Sequence, residues 1–384
     1  MEPDSVILYC PDRHLTYGGA TAERVGVGGG VTARLRLARA LAGQGCRVTV
    51  VANVPRREVH HKVSFVPLAE ARRLEAGVLI LNSTGGDLDL SPVLELDLRV
   101  RLRMAWIGGE ARVKGLEAVG YDFLVAPSNY VRRGVGGWGV PPARCVVIHN
   151  GVPERRRSWW PVRRDPFRMV YTGHPMKGLD SAVELLRLLR REDPRFTLHV
   201  YGGRRLWGQE DETANLPEGV VWHGLVGQDA LADALRQAGF SINLQGLADG
   251  FGIAMAEAMG AGCLVVASAI GAYPELIRQG YDGFLVAGPH GAPETLRRTA
   301  RLIRDLTAAP GLAATVRRNA GASPLPWSVV ARAWMGQWRR ALAPEPEGAW
   351  EPPWSCPECG GGLYPLADGY HCGACGWFAR ELGG

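Results

Sequence analysis

Apolar positions along this chain come in two rhythms. Nearly continuous short runs, Val6–Cys10, Arg47–Val54, Val63–Pro67, Val78–Asn82, Met104–Ile107 and Phe123–Ala126, predict buried strands. Between the first two, residues 11–30 are polar and end in Gly26-Val-Gly-Gly-Gly30. Val31–Ala42 then repeats at helical spacing and stops at Gly43 and Gly45. Strand, glycine loop, helix and strand in that order predict a parallel α/β unit. Pro127-Ser128-Asn129 predicts a strand end followed by a capped helix, and Cys145–Ile148 a closing strand.

The pattern then restarts. Arg168–Tyr171, Phe196–Tyr201, Val220–His223, Phe240–Leu244, Leu264–Ala267 and Gly283–Val286 read as strands. Ser181–Arg191, Phe251–Met259, Ala292–Ala308 and Pro326–Leu342 read as helices. In the last, Trp327, Trp334 and Trp338 at helical spacing are core anchors. The expected organisation is therefore an N-terminal α/β domain over 1–157, a second over 158–343, a stiff proline-rich linker over 344–354 and a small module over 355–384. The basic, Trp-containing stretch 155–164 reads as a solvated interdomain linker.

Composition changes this picture little. The 384 residues suffice for two Rossmann-sized domains plus an extra piece. Hydrophobic residues make up 46% and charged residues 21%, as in ordinary globular proteins. The net charge of +6 is compatible with anionic small molecules or a membrane surface. No signal peptide and no apolar stretch long enough to span a bilayer is read, so a cytoplasmic protein is expected, with peripheral contact at the inner membrane face left open.

Candidate chemistry concentrates in 249–276. Asp249 and glycines open a helical run in which Glu257 follows eight positions later, about 12 Å along a helix axis. Helix starts carry free N–H groups and partial positive charge, which suit a diphosphate. On spacing alone, a helix cap at Asp249 and a solvated or ion-paired Glu257 is the simpler reading. The whole pattern, Asp-Gly-Phe-Gly-x4-Glu-Ala-Met-x-Ala-Gly followed by Gly-x-x-Pro-Glu-Leu, resembles the donor signature of retaining GT-B glycosyltransferases of the family 4 type, covering most of residues 1–343.

That resemblance implies two Rossmann-like domains facing each other across a cleft. It implies transfer of a sugar from a nucleotide-sugar, as co-substrate, to an unassigned glycan, lipid, protein or small-molecule acceptor with retention of configuration and no catalytic metal. Lys177 and Asp249 would be the catalytic pair. The donor would be held by Gly29, Gly30, Gly173, Lys177, Asp249, Gly250, Phe251, Gly252, Ile253 and Glu257. Within this set Lys177 and the amides at Gly252–Ile253 would meet the diphosphate, Glu257 the ribose and Asp249 the sugar. Three departures stand out: Asp249 replaces the usual Glu, His174 stands where an Arg is usual, and Gln245-Gly246 replaces Pro-Ser. Arg204 or Arg205 could supply the missing cation, and Glu110 or Arg112 could replace the absent acceptor-side His. A catalytically inactive nucleotide-sugar-binding or scaffold protein on the same fold is the alternative.

The glycine loop at 26–31 does not make a dinucleotide site. It lacks the third glycine, and the strand ending at Asn53 brings no acidic residue to a ribose. Cys10, Cys46, Cys145 and Cys263 read as buried thiols. Cys356-x-x-Cys359 and Cys372-x-x-Cys375 have the spacing of a zinc ribbon with four thiolates and no open coordination position, hence a structural zinc. A disulfide pair is the other way to use these cysteines. Within 356–384 only Arg380 opposes Glu358, Asp368 and Glu381, which argues against nucleic acid and for a protein partner or self-association.

Overall fold

The computed structural model describes residues 4–84, 88–154, 163–211, 215–343, 355–361, 363–366, 369–372 and 378–379. The first unit contains strands β1 (Ser5–Tyr9), β2 (Arg47–Ala52), β3 (Glu58–His60), β4 (Val63–Pro67), β5 (Arg73–Asn82), β6 (Asp97–Trp106), β7 (Phe123–Ala126) and β8 (Cys145–Val147). Its helices are α1 (Thr21–Arg24), α2 (Gly29–Gly43), α3 (Leu116–Val119) and α4 (Asn129–Gly136). The strands form one sheet in the order β3-β4-β2-β1-β5-β6-β7-β8, parallel except for β3 against β4.

The second unit holds β9 (Asp165–Gly173), α5 (Leu179–Arg190), β10 (Thr197–Gly202), β11 (Val220–Gly224), α6 (Gln228–Gln237) and β12 (Ala238–Asn243). It continues with α7 (Ile253–Gly260), β13 (Leu264–Ser268), α8 (Tyr273–Leu276), β14 (Phe284–Val286), α9 (Pro293–Ala308) and α10 (Pro310–Ala322). Its sheet is wholly parallel, in the order β11-β10-β9-β12-β13-β14. Parallel strands are covered on both faces, which is why β1, β12 and β13 are buried at every position. Leu185, Leu189 and Ile303 seal one face of this sheet, and Leu235, Met255 and Met259 seal the other.

The last long helix, α11 (Trp327–Leu342), returns to the first unit. Trp327, Trp334 and Trp338 are buried in the core that contains Leu37 and Leu41 of α2, and Trp334 meets the Trp106 ring edge-on at 5.4 Å. Both chain crossings between units lie side by side. Val152 N–H donates to the Leu325 carbonyl (2.9 Å) and Trp327 N–H to the Val152 carbonyl (3.1 Å). Ser128 accepts from Val131 N–H at 3.1 Å, so the expected cap of α4 is present.

Two sets of elements depart from the apolar pattern. β5 and β6 extend well upstream of their apolar ends, because their outer halves alternate exposed and buried positions (Arg73 out, Leu74 in, Glu75 out). α6 and α10 bury few residues, Ala234 and Leu235 in the one and Ala313, Val316, Ala320 and Gly321 in the other, so neither announces itself by a long apolar run.

At the C-terminal end, β15 (Leu363–Leu366), β16 (Gly369–Cys372) and β17 (Phe378–Ala379) form a small antiparallel sheet. Cys375, part of the expected zinc set, lies outside the described residues, as do the linker 344–354 and most of the basic stretch 155–164. Among the described residues no helix is long and apolar enough to cross a membrane.

Candidate functional site

A cavity of about 440 Å³ opens between the two sheets, at the carboxyl ends of their strands. Asn82 and Trp106 end β5 and β6 on one side; Gly173, Gly202 and Asn243 end β9, β10 and β12 on the other. All ten residues expected to hold the donor line it: Gly29, Gly30, Gly173, Lys177, Asp249, Gly250, Phe251, Gly252, Ile253 and Glu257.

Two helix starts face each other across it. α2 begins at Gly29 and α7 at Ile253, and a Cβ on Gly29 would lie 3.6 Å from Ile253 Cδ1. Neither start has a side-chain cap, so both present backbone N–H groups and the positive ends of their dipoles to the cavity. The glycines before α7 are required by protein contacts. A Cβ on Gly252 (φ 84°) would lie 2.3 Å from the Tyr273 ring, and one on Gly250 would lie 2.1 Å from the Gly108 carbonyl of the facing unit.

Asp249 is heavily engaged. Lys177 Nζ donates to its Oδ1 at 2.5 Å, while Tyr273 Oη (2.9 Å) and Gln245 Nε2 (3.1 Å) donate to Oδ2. Burial, with the carboxylate beside it, holds the Tyr273 phenol well above the usual range. The phenol therefore stays a donor at any physiological pH. Tyr273 carried no chemical assignment in the sequence, and Gln245 stood out only as part of the departure from Pro-Ser, although both sit inside or beside the motif. Their convergence depends on the turn at Gly271, which brings Ala272 N–H onto the Asp249 carbonyl at 3.1 Å.

Glu257 lies one wall away, 9% exposed, and its Oε1 has no hydrogen-bond partner. Burial pushes its carboxyl pKa up, opposed by Arg36 of α2, whose Nη2 stands 3.7 Å from Oε1. The same Nη2 donates to Gln228 Oε1 at 2.9 Å, so Arg36 bridges the units behind the cavity.

His174 is 1% exposed and stacks on Trp207 at 3.7 Å between ring centroids. Its Nδ1 accepts from Met176 N–H at 3.2 Å, which places the ring proton of the neutral imidazole on Nε2. That Nε2 is buried without a partner. Burial, then Arg204 and Lys177, push the imidazole pKa down.

Neither candidate replacement cation lines the cavity. The 204–207 turn contributes Leu206 and Trp207 instead, while Arg205 pairs with Glu210 at 3.3 Å. On the opposite wall, Gly108, Gly109 and Ala111 line the cavity, but Glu110 and Arg112 do not. Glu110 is drawn outward to the Tyr130 hydroxyl, and its carbonyl accepts from Trp138 Nε1 at 3.2 Å.

In the small module, Cys356, Cys359 and Cys372 bring their sulfurs within 4.8 Å of one another, with Cys359 and Cys372 at 3.5 Å.

Residues 166–305 match the protein family described as "Glycosyl transferases group 1". A D-inositol 3-phosphate glycosyltransferase of Streptomyces griseus is 30% identical over 184 residues, 38% of this chain and 39% of that protein. A GDP-mannose:cellobiosyl-diphosphopolyprenol alpha-mannosyltransferase of Xanthomonas campestris is 31% identical over 158 residues, 38% of this chain and 40% of that protein. The match thus spans about two fifths of the length of these curated relatives. Among solved structures, sucrose-phosphate synthase of Thermosynechococcus elongatus superposes with a TM-score of 0.64 at 17% identity, covering 88% of this chain and 98% of that one. Alr3699/HepE of Anabaena, solved with UDP-glucose, gives 0.60 at 14% identity over 88% and 100%. The two facing sheets therefore have the GT-B fold, and residues 166–305, in the second unit, are similar to the group 1 glycosyl transferases.

Proposed function

We propose that this chain is a nucleotide-sugar-dependent retaining glycosyltransferase whose donor lies between α2 and α7. One observation carries the reading. Lys177, two uncapped helix starts and a buried Glu257 oxygen that accepts no hydrogen bond converge on a single cavity at the strand ends of both sheets. Positive backbone ends and a lysine suit a diphosphate, and a buried acceptor without a donor suits a pair of sugar hydroxyls.

In this reading Lys177 and the α7 amides stabilise charge as it develops on the departing diphosphate. Glu257 holds the ribose. Asp249 holds Lys177 in place and reaches the transferred sugar with its remaining lone pair. The Nε2–H of His174 supplies a neutral hydrogen bond where the related pattern has a guanidinium. The N-terminal wall at Asn82, Thr84 and Gly108–Gly109 faces the acceptor. Relatives named for inositol phosphate and polyprenol-linked acceptors support a hydroxyl acceptor attached to an anionic group.

We further infer that Cys356, Cys359 and Cys372, joined by Cys375, hold a structural zinc. Three thiols within 4.8 Å of one another, two of them at 3.5 Å, suit that ion.

The test is incubation with UDP-, GDP- and ADP-sugars, following release of free nucleotide. Release that disappears in Glu257→Ala is the expected result. Binding by calorimetry with no release from any donor, with or without polyprenol phosphate or inositol phosphate, would demote the protein to a binder.

A further inference from the structure

We propose a second, independent metal site on the N-terminal unit, formed by Glu23, His60 and His61 and suited to a divalent transition ion. Glu23 Oε1 lies 2.9 Å from His61 Nε2 and 3.3 Å from His60 Nε2, and the three ligand atoms fall within 4.8 Å of one another. An ion bonded at about 2.0–2.1 Å to each ligand in tetrahedral geometry needs ligand atoms roughly 3.3 Å apart. The cluster therefore needs only small adjustments to close on a metal.

The backbone supplies a second reason. Neighbouring residues on a strand point to opposite faces. Here the β3–β4 hairpin turns on His61 (φ 48°) and Lys62 (φ 64°), with His60 paired to Val63. Positive φ at both turn positions is the habit of Asn-Gly, and it costs about 1 kcal/mol or more for residues with side chains. This turn swings the His61 ring to the side of His60, leaving the ring centroids 4.1 Å apart. A glycine would remove the strain and, with it, one ligand.

The third ligand is already docked. Gly19 N–H donates to Glu58 Oε1 at 2.6 Å, and a Cβ on Gly19 would lie 2.4 Å from His60 Cβ. The loop that leads into α1, which carries Glu23, is thus seated on the hairpin before any ion arrives. Two imidazoles and one carboxylate select Zn²⁺, Co²⁺ or Ni²⁺ over Mg²⁺ and Ca²⁺. All three ligands are partly exposed, so water completes the coordination. Arg39 Nη1 stands 3.4 Å from the same Glu23 oxygen and competes with the ion for it.

The test is Co²⁺ titration of the full chain, prepared without a polyhistidine tag, followed by absorption and calorimetry. Thiolate ligation by the C-terminal cysteines gives an intense near-ultraviolet charge-transfer band. The proposed site adds a separate equivalent with visible d–d absorption and no such band. Glu23→Gln and His61→Ala should weaken that equivalent by at least about tenfold while leaving the thiolate band intact. Arg39→Gln should tighten it, which a purely structural contact would not do. The proposal is overturned if no nitrogen-ligated equivalent appears, or if it survives His60→Ala/His61→Ala unchanged.

Discussion

Asp249 shows how a motif residue acquires a different reason once its neighbours are visible. Its two oxygens accept from Lys177, Gln245 and Tyr273, so three of about four lone-pair sites are occupied before substrate arrives. Asp249→Asn keeps the shape and removes the charge that steadies Lys177. The expected result is a fall in kcat of at least about tenfold with a smaller change in donor KM, read by nucleotide release. Lys177→Met should lose more, about 10²–10³ in kcat, because the charge itself is gone. His174 is the complementary case: its Nδ1 is committed to Met176 N–H and its pKa is pushed down by burial and by two cations. The imidazole therefore stays neutral above its ordinary titration range, and donor KM should be flat between about pH 6.5 and 8 as far as His174 is concerned. His174→Ala should raise KM, and His174→Gln should restore part of it. The motif residues were legible because chemistry and spacing are local. Tyr273, Trp207 and Arg36 were not, because each reaches the site through a turn, a stack or the facing unit.

At the scale of elements, the edge pair β10 and β11 carries a histidine device of its own. His199 Nδ1 and His223 Nε2 lie 2.9 Å apart, and the Tyr201 ring stacks on His223 at 4.3 Å. Burial, then Arg168 and His223, push the His199 pKa down to about 4. In the unfolded chain this imidazole binds a proton below about pH 6.5, and in the native state only below about 4. Between those values the unfolded state holds more protons, so stability rises with pH across the window and is lost as pH falls through it. His199 is half-buried, so solvent screening reduces the effect. His199→Gln should flatten the dependence of Tm on pH between about 6.5 and 4, measured by calorimetry. The strands themselves were readable from their apolar runs. α6 and α10 were not, since each buries only a few side chains, Ala234 and Leu235 in α6 and Ala313, Val316 and Ala320 in α10, among many polar and small residues.

Across the whole molecule, the cleft is held by contacts that join the two units at several points. The chain crossings at Val152 and Trp327 bond to each other and form the hinge side. At another point, Ser128 Oγ of the first unit donates to the Gly250 carbonyl at 2.6 Å. Beside it, Glu275 of α8 accepts from the N–H groups of Asn129 (2.7 Å) and Tyr130 (2.5 Å), the exposed start of α4. A carboxylate from one unit thus caps a helix of the other, with Arg133 at 3.6 Å adding charge. Two backbone donors lose their partner in Glu275→Ala, a cost of about 1–3 kcal/mol that opposes closure and not the folding of either sheet. The expected outcome is a wider distribution of interdomain distances by small-angle scattering, donor affinity about tenfold weaker, and a nearly unchanged far-ultraviolet spectrum. Glu275→Gln, which keeps an acceptor but drops the charge, should fall between the two. An unchanged scattering profile in Glu275→Ala would mean that the hinge and the tryptophans of α11, buried in the opposite unit, hold the units together without the cap.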